Sequence, residues 1–444
     1  MSNIQTQLAN AIGIDNVSTD LPSGIAELLS AKAQAGALPA CVALPTTVED
    51  LGKVLALANR NRWRVLPTGQ GTKLTWGNLT DRLDLLISTG RLNKILDHAV
   101  GDFTVTVQPG LKVSELRAVL AEQGQFLAVD PAFPQQATLG GLVATADTGS
   151  LRQRYGGLRD MLIGVQFARY DGALARAGGK VVKNVAGYDL MKLMTGSYGS
   201  LGVLSELTFR LYPRLANVRS LILTGPLSAL EAAAAEIRLS GLSPIAFDIV
   251  SKRVMMALNQ SNSHGIVARF QGVAAGVEEQ SERLRKIAAT HNLGVQQLDG
   301  KADTAFWQGS AALIRSSSQL CKVGLKPSSI PSFLALAEQI IPRAQVRLYG
   351  SSGLGWVQFD HIDEAASDAG DMTADFLETD VIEKLRSHCE ANAGFLTLLQ
   401  APKTLKAKAD IWGYTGNALG VMSSIKQKFD PHGLLSPGRF VGGL

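Results

Sequence analysis

The sequence predicts an α+β protein in two parts: an N-terminal part of helices and strands with its glycines gathered at turns, and a second part built on an antiparallel sheet. Three observations carry this. Helical and strand periodicities alternate through the first half of the chain. After about residue 219 an order β-α-β-β-α-β appears and then recurs. At 444 residues, 46% of them hydrophobic, the chain is about three typical domain lengths and has ample material for two or three cores.

The elements follow in chain order. Residues 45–66 read as helix then strand: Thr46 with Glu49, or Thr47 with Asp50, makes a capping-type start before Leu51, Val54, Leu55 and Ala58, and Trp63 to Leu66 is the strand. Residues 103–109 alternate as a strand, and a turn at Pro109-Gly110 precedes a helix expected to place Val113, Leu116, Val119 and Leu120 on one face. In the second half, strands at 220–224, 245–250, 265–270 and 295–298 alternate with helices at 227–239 and 276–290. The repeat gives strands at 322–326, 345–349, 355–359 and 395–399 with helices at 331–340 and 374–393. Two such ferredoxin-like units would build one antiparallel sheet with helices on one side. The last segment, 423–444, carries a helix ending at Phe429-Asp430-Pro431 and a tail through Pro437-Gly438-Arg439.

Two glycine-rich turns concentrate the functional signal. Leu66-Pro67-Thr68-Gly69-Gln70-Gly71-Thr72-Lys73 leaves the short strand before it, and Gly69 and Gly71 let backbone amides approach a phosphate with no Cβ in the way, a nest suited to a pyrophosphate. Ala137-Thr138-Leu139-Gly140-Gly141 is the second. Other nucleotide loops fail on spacing: a Rossmann fingerprint needs a third glycine where Leu74 stands, and the candidate Walker loop at Gly179-Lys180 continues into Val181 and has Leu174 at its first glycine position.

Bulk chemistry excludes several classes. A net charge of +5 spread over this length, with no block of five or six like charges, implies no nucleic-acid binding and is compatible with anionic ligands. Cys41, Cys321 and Cys389 are too isolated to form an iron–sulfur or zinc site locally and read as small buried hydrophobes. The histidines, His98, His264, His291, His361, His388 and His432, form no metal-binding pair in sequence. No apolar run approaches the roughly 18 to 20 residues of a membrane span and no basic stretch leads into an apolar signal region, so a cytoplasmic location is expected.

With Pro67-x-Gly69-x-Gly71-Thr72, Asp130-Pro131, the second glycine turn, Gly187-Tyr188-Asp189-Leu190-x-Lys192-Leu193, Gly196-Ser197-x-Gly199-x-Leu201-Gly202 and Asp430-Pro431 before Pro437-Gly438-Arg439, most of the chain resembles FAD-linked oxidases of the vanillyl-alcohol oxidase and p-cresol methylhydroxylase type. Lys180 to Asp189 and Gly353-Leu354-Gly355-Trp356 look most like the FAD-binding E subunit of bacterial glycolate oxidase. The resemblance implies a two-part FAD-binding domain over residues 1–215, a cap over 216–420 and a C-terminal segment, 421–444, returning to the FAD domain. It implies that Pro67, Thr68, Gly69, Gln70, Gly71 and Thr72 wrap the FAD pyrophosphate, that Pro131, Thr138, Gly140, Gly141, Ala144 and Thr145 lie against the flavin ring and ribityl chain, and that Gly196 to Gly202 closes over the adenosine side, with Val203 near the adenine. Gly140 and Gly141 make steric sense where backbone meets a flat ring. The family often tethers FAD through a histidine in the first loop or a cysteine near the second, and this chain has neither, so FAD should be non-covalent.

Related 2-hydroxy-acid dehydrogenases carry a metal-binding and catalytic histidine cluster in the cap and C-terminal region, whereas His361 and His388 stand alone here and read as surface or helix residues. Taking the proton of a 2-hydroxyl needs a base, and the sequence names none and no metal site. Lys326, Arg347 and Tyr349, at or near strand ends of the cap, are the candidate carboxylate binders. Lys183, Tyr188, Asp189 and Lys192 read as fixing their segment to the flavin domain. The leading expectation is the FAD-binding subunit of a glycolate oxidase complex, oxidising glycolate to glyoxylate with a D-type flavoprotein and an iron–sulfur F-type subunit, and reaching the inner membrane only through that complex. The alternatives are a self-contained FAD-dependent dehydrogenase of glycolate or D-lactate, and a non-catalytic scaffold on the same fold.

Overall fold

The computed structural model describes residues 2–31, 33, 37–180, 187–314, 318–360 and 374–444. The chain divides into two compact units: Met1–Thr148 with Gly157–Arg214 and Tyr414–Leu444, and Gly149–Gly156 with Leu215–Gly413.

In the first unit, β1 (Val17–Ser18), β2 (Val42–Ala43), β3 (Val65–Thr68) and β4 (Leu85–Ser88) form a sheet in the order β1-β2-β4-β3, with β4 parallel to both neighbours. The connection from β2 to β3 is the helix Val48–Asn61, whose start is settled by Thr47: its hydroxyl accepts from the Asp50 amide at 3.0 Å. Leu51, Val54, Leu55 and Ala58 are buried at helical spacing against Val65, Leu85 and Ile87. The free side of β3 is taken by the C-terminal segment: the Val65 amide donates to the Leu434 carbonyl and the Ser436 amide to the Val65 carbonyl, each at 2.8 Å.

The chain continues through β5 (Ile95–Ala99), β6 (Thr104–Val107), β7 (Gln125–Phe126), β8 (Leu162–Ala168), β9 (Leu174–Gly178), β10 (Val203–Arg210) and β11 (Tyr212–Pro213). Five of these make an antiparallel sheet in the order β5-β6-β10-β8-β9, and β7 pairs with β11. In the helix Val113–Glu122, Val113, Leu116 and Leu120 are buried. Val119 is exposed, contrary to the expected face, because at 3.6 residues per turn it lies about 120° round the helix from Val113, whereas Leu116 and Leu120 lie within about 60° of it.

The second unit carries β12 (Asn217–Gly225), β13 (Ala246–Val250), β14 (His264–Gly272), β15 (Gly294–Asp299), β16 (Gln319–Gly324), β17 (Gln345–Tyr349), β18 (Leu354–Phe359) and β19 (Phe395–Gln400). They form one eight-stranded sheet in the order β15-β12-β14-β13-β17-β18-β16-β19, antiparallel throughout. Numbered within each repeat, that is 4-1-3-2 followed by 2-3-1-4: two ferredoxin-like units joined through their second strands, β13 against β17. Alternate residues such as Phe247, Ile249, Val346 and Leu348 enter a core with Leu230, Leu284, Phe333 and Ile382 from the helices Leu227–Leu239, Ala274–Thr290, Ile330–Ile340 and Ala374–Ala391. The intervening positions, including Ser220, Arg269 and Arg347, meet a helix that the sequence pattern did not reveal, Gly300–Leu313. A short helix, Lys252–Ala257, also escaped it. Among the described residues no helix is long and apolar enough to cross a membrane.

Candidate functional site

Within the first unit, β3 runs directly into the first glycine turn and the helix Leu139–Thr145 follows the second, and a cleft of about 870 Å³, open to solvent, lies between them. Pro67, Thr68, Gly69, Gln70, Gly71, Thr72, Thr138, Gly140, Gly141, Ala144, Thr145, Gly202 and Val203 all line it. Pro131 is buried and is not among the lining residues. Tyr198, within the Gly196–Gly202 segment, lines it as well, and so do Lys73, Thr89, Pro109 and Arg439, to which the resemblance assigned no cofactor contact. Lys73, Tyr198 and Arg439 stand inside the motifs already quoted, so a signal was present; Thr89 closes the strand by donating to the Thr68 carbonyl, a contact with no local sequence mark.

The two turns are packed on one another. A Cβ on Gly69 would lie 2.1 Å from Thr138 Oγ1, and one on Gly140 would lie 2.7 Å from Pro109 Cβ. The need for glycine at 140 is therefore set first by Pro109 within the protein, whereas a Cβ on Gly141 would meet only Thr138 Oγ1 at 3.3 Å. Thr138 caps the following helix through the Gly141 amide, also at 3.3 Å, which orients the second turn.

Charge in the cleft is one-sided. Lys73 and Arg439 line it, and among the described residues no acidic one does. Lys73 Nζ is held at 2.7 Å by Asp147 Oδ2, lies 3.3 Å from Thr145 Oγ1 and sits over the Trp76 ring. Arg439, 3% exposed, donates from Nη1 to the Asn78 carbonyl at 2.7 Å and from Nη2 to the carbonyls of Leu74 and Trp76. Burial pulls its guanidinium down to about 10, still above any working pH, so it stays charged. Burial also pushes the Tyr198 phenol up, with Arg439 opposing. Close-approach glycines, hydroxyls from Thr68, Thr72 and Thr138, and the Arg439 guanidinium, which has no carboxylate partner among the described residues, fit a large anionic cofactor.

The other candidates belong to the second unit. Lys326 is exposed before the turn Pro327–Ser329. Arg347 and Tyr349 are buried on β17. Arg347 is already engaged: Nε and Nη2 each lie 2.7 Å from Asp248 Oδ2, Nη2 donates to Ser150 Oγ at 2.7 Å, Nη1 to Ser310 Oγ, and the guanidinium stacks on Trp307. Burial pushes the Asp248 carboxyl above its ordinary range, with Arg347 opposing. The described histidines each have a partner elsewhere: His98 with Gln125, His264 with Glu338, His291 with Glu236, His388 with Ser332, and His432 against the Tyr170 ring. His361 and Lys183 lie outside the described residues. Tyr188 is exposed and Asp189 pairs with Lys192 at 2.6 Å, all three away from the cleft lining.

Comparison with known proteins agrees with this geometry. A sequence model of an FAD binding domain matches residues 39–178. The chain is 30% identical to a D-2-hydroxyglutarate dehydrogenase of Xanthomonas citri pv. viticola over 90% of its own length and 89% of that protein. It is 23% identical to the glycolate oxidase subunit GlcD of Bacillus subtilis over 98% and 96% of the two chains. Its fold matches p-cresol methylhydroxylase with a TM-score of 0.72 at 13% identity, covering 98% of this chain and 96% of that one. The chain belongs to the FAD-linked oxidases of the vanillyl-alcohol oxidase and p-cresol methylhydroxylase type. It is an FAD-dependent oxidoreductase, and FAD is its cofactor.

Proposed function

We propose that this protein serves the oxidation of a small 2-hydroxy acid, with FAD held non-covalently in the cleft of the first unit, and that it does so as the FAD-binding subunit of a glycolate oxidase complex with a D-type flavoprotein and an iron–sulfur F-type subunit. FAD bound there supplies a two-electron acceptor. The chain's own residues do the holding: the amides and hydroxyls of residues 67–72 and the second turn form the cradle, Arg439 supplies positive charge, and the packing of Gly69 on Thr138 fixes one turn against the other. Among the described residues, none that lines the cleft is a histidine or cysteine of the kind the family uses for a covalent tether.

The observation that carries the subunit reading is the contrast between this cleft and the histidines. Removing a hydride equivalent from the carbinol carbon requires a base for the hydroxyl proton, and each described histidine is occupied by a partner outside the cleft lining. A second reading, the self-contained dehydrogenase, is favoured by the near full-length similarity to a D-2-hydroxyglutarate dehydrogenase. An anaerobic titration separates the two. The FAD-loaded chain without partners should keep its oxidised-flavin absorbance as glycolate is added and lose it when the partner subunits are supplied; bleaching of the lone chain by glycolate, D-lactate or D-2-hydroxyglutarate would overturn the subunit reading in favour of the dehydrogenase.

A further inference from the structure

A buried cation in a protein normally has a buried anion beside it, because taking a charge out of water without a partner is strongly unfavourable. The first unit shows this rule at Lys426, whose ammonium meets Asp430 Oδ2 at 2.6 Å, and at Lys73, held by Asp147. Arg439 departs from it. Its guanidinium is as buried as either lysine, and its protein partners are three neutral carbonyls, with no carboxylate among the described residues. Of five N–H donors, three are used, which leaves two and the whole charge.

The position of those carbonyls is informative. Asn78, Leu74 and Trp76 belong to the stretch immediately after the first glycine turn, and the Asn78 amide in turn donates to the Arg439 carbonyl at 3.1 Å. Gly77, at φ +86°, would place a Cβ 2.7 Å from that carbonyl, so the backbone is pressed against the tail. The tail is further fixed beside β3 through Leu434 and Ser436. Arg439 is thus clamped to the arm of the same loop whose amides form the anion nest, and it lines the same cleft.

We propose that Arg439 is a phosphate-binding residue of the cofactor cleft, its missing counter-ion being the pyrophosphate of the dinucleotide, so that the C-terminal segment completes the site. Guanidinium suits this role through paired, charge-assisted N–H···O bonds that a neutral side chain cannot replace. The inference rests on FAD as the cofactor and not on the substrate, so failure of glycolate to act through this chain leaves it standing.

The test uses the full-length apoprotein and two fragments of the cofactor: ADP, which has the phosphates without the ring, and riboflavin, which has the ring without phosphates. Binding is read by calorimetry and by quenching of riboflavin fluorescence, and FAD itself is titrated alongside. Arg439→Met should weaken FAD and ADP by about 10- to 100-fold and leave riboflavin within about twofold, while Arg439→Lys should recover part of the loss. Wild-type apoprotein should also gain thermal stability from ADP. Equal weakening of riboflavin and ADP would mark a structural role, and retention of ADP binding with a lowered flavin reduction potential would place the charge at the ring; either overturns the proposal, as does a wild-type apoprotein that ADP does not stabilise. If Arg439→Met does not fold, the Arg439→Lys variant and the wild-type ADP stabilisation decide the question.

Discussion

At the scale of single residues, burial rather than sequence motif decides what the chemically active side chains can do. Cys41, Cys321 and Cys389 are each 0% exposed, and loss of hydration pushes their thiols up, to about 11 for Cys41 and about 12 for the other two. A thiol near 8.5 in the unfolded chain therefore ionises on unfolding at alkaline pH but stays protonated in the native state. The sign follows: the unfolded state binds fewer protons, so stability is fully present below about pH 8.5 and declines as pH rises toward the native values. Native protein at pH 8 should resist a thiol reagent that labels all three cysteines in urea, and the urea midpoint should fall between about pH 8.5 and 10.5. Rapid labelling of the folded protein would contradict the burial. Arg347 shows the same dominance of context: it reads in the sequence as a cation at a strand end, and the fold gives it Asp248, Ser150, Ser310 and Trp307.

At the scale of elements, one hydroxyl adds to the β13–β17 pairing that joins the two ferredoxin-like halves. Ser251, fully buried after β13, accepts from the Val254 amide at 3.4 Å, capping Lys252–Ala257, and from the Val346 amide of β17 at 3.0 Å, while its own amide donates to the Val346 carbonyl. Ser251→Ala removes a cap and leaves a buried amide unpaired, so a loss of about 1–3 kcal/mol is expected. Equilibrium urea unfolding measures it, and faster amide exchange at Val346 would locate the loss. The helices and strands of both repeats were legible because their apolar residues recur at fixed periods, as in Leu230, Ala233, Ala234 and Ile237. Gly300–Leu313 was not: it buries only Asp303, Phe306 and Ser310, and two of those three are polar residues satisfied by Ser220, Arg269 and Arg347. A helix that packs through hydrogen bonds carries little hydrophobic period to read.

At the scale of the whole molecule, the question is whether the cleft works in electron transfer or only holds a fold together. Gly140 is a poor place to ask, since a side chain there would strike Pro109 and disturb the unit itself. Gly141 is better, because its Cβ direction meets only Thr138 Oγ1 within 4 Å. In a purified complex, Gly141→Val should abolish or reduce turnover at least tenfold, a loss of about 1.4 kcal/mol or more in transition-state stabilisation, while the complex still assembles on size-exclusion chromatography. Assembly with full activity would favour a scaffold. The sequence by itself determined the glycine spacing of both turns, the order of elements in the two repeats and the lack of a tethering residue in the first loop, because each of these is a local pattern along the chain. Only the tertiary structure decided that β13 meets β17, that residues 149–156 belong to the unit formed by 215–413, that Asp147 answers Lys73, and that Arg439 comes to the first loop with no carboxylate partner among the described residues. Those facts are contacts between residues tens to hundreds of positions apart, and which distant partner a side chain receives is settled by how strands and tails pack in three dimensions rather than by any periodicity of the chain.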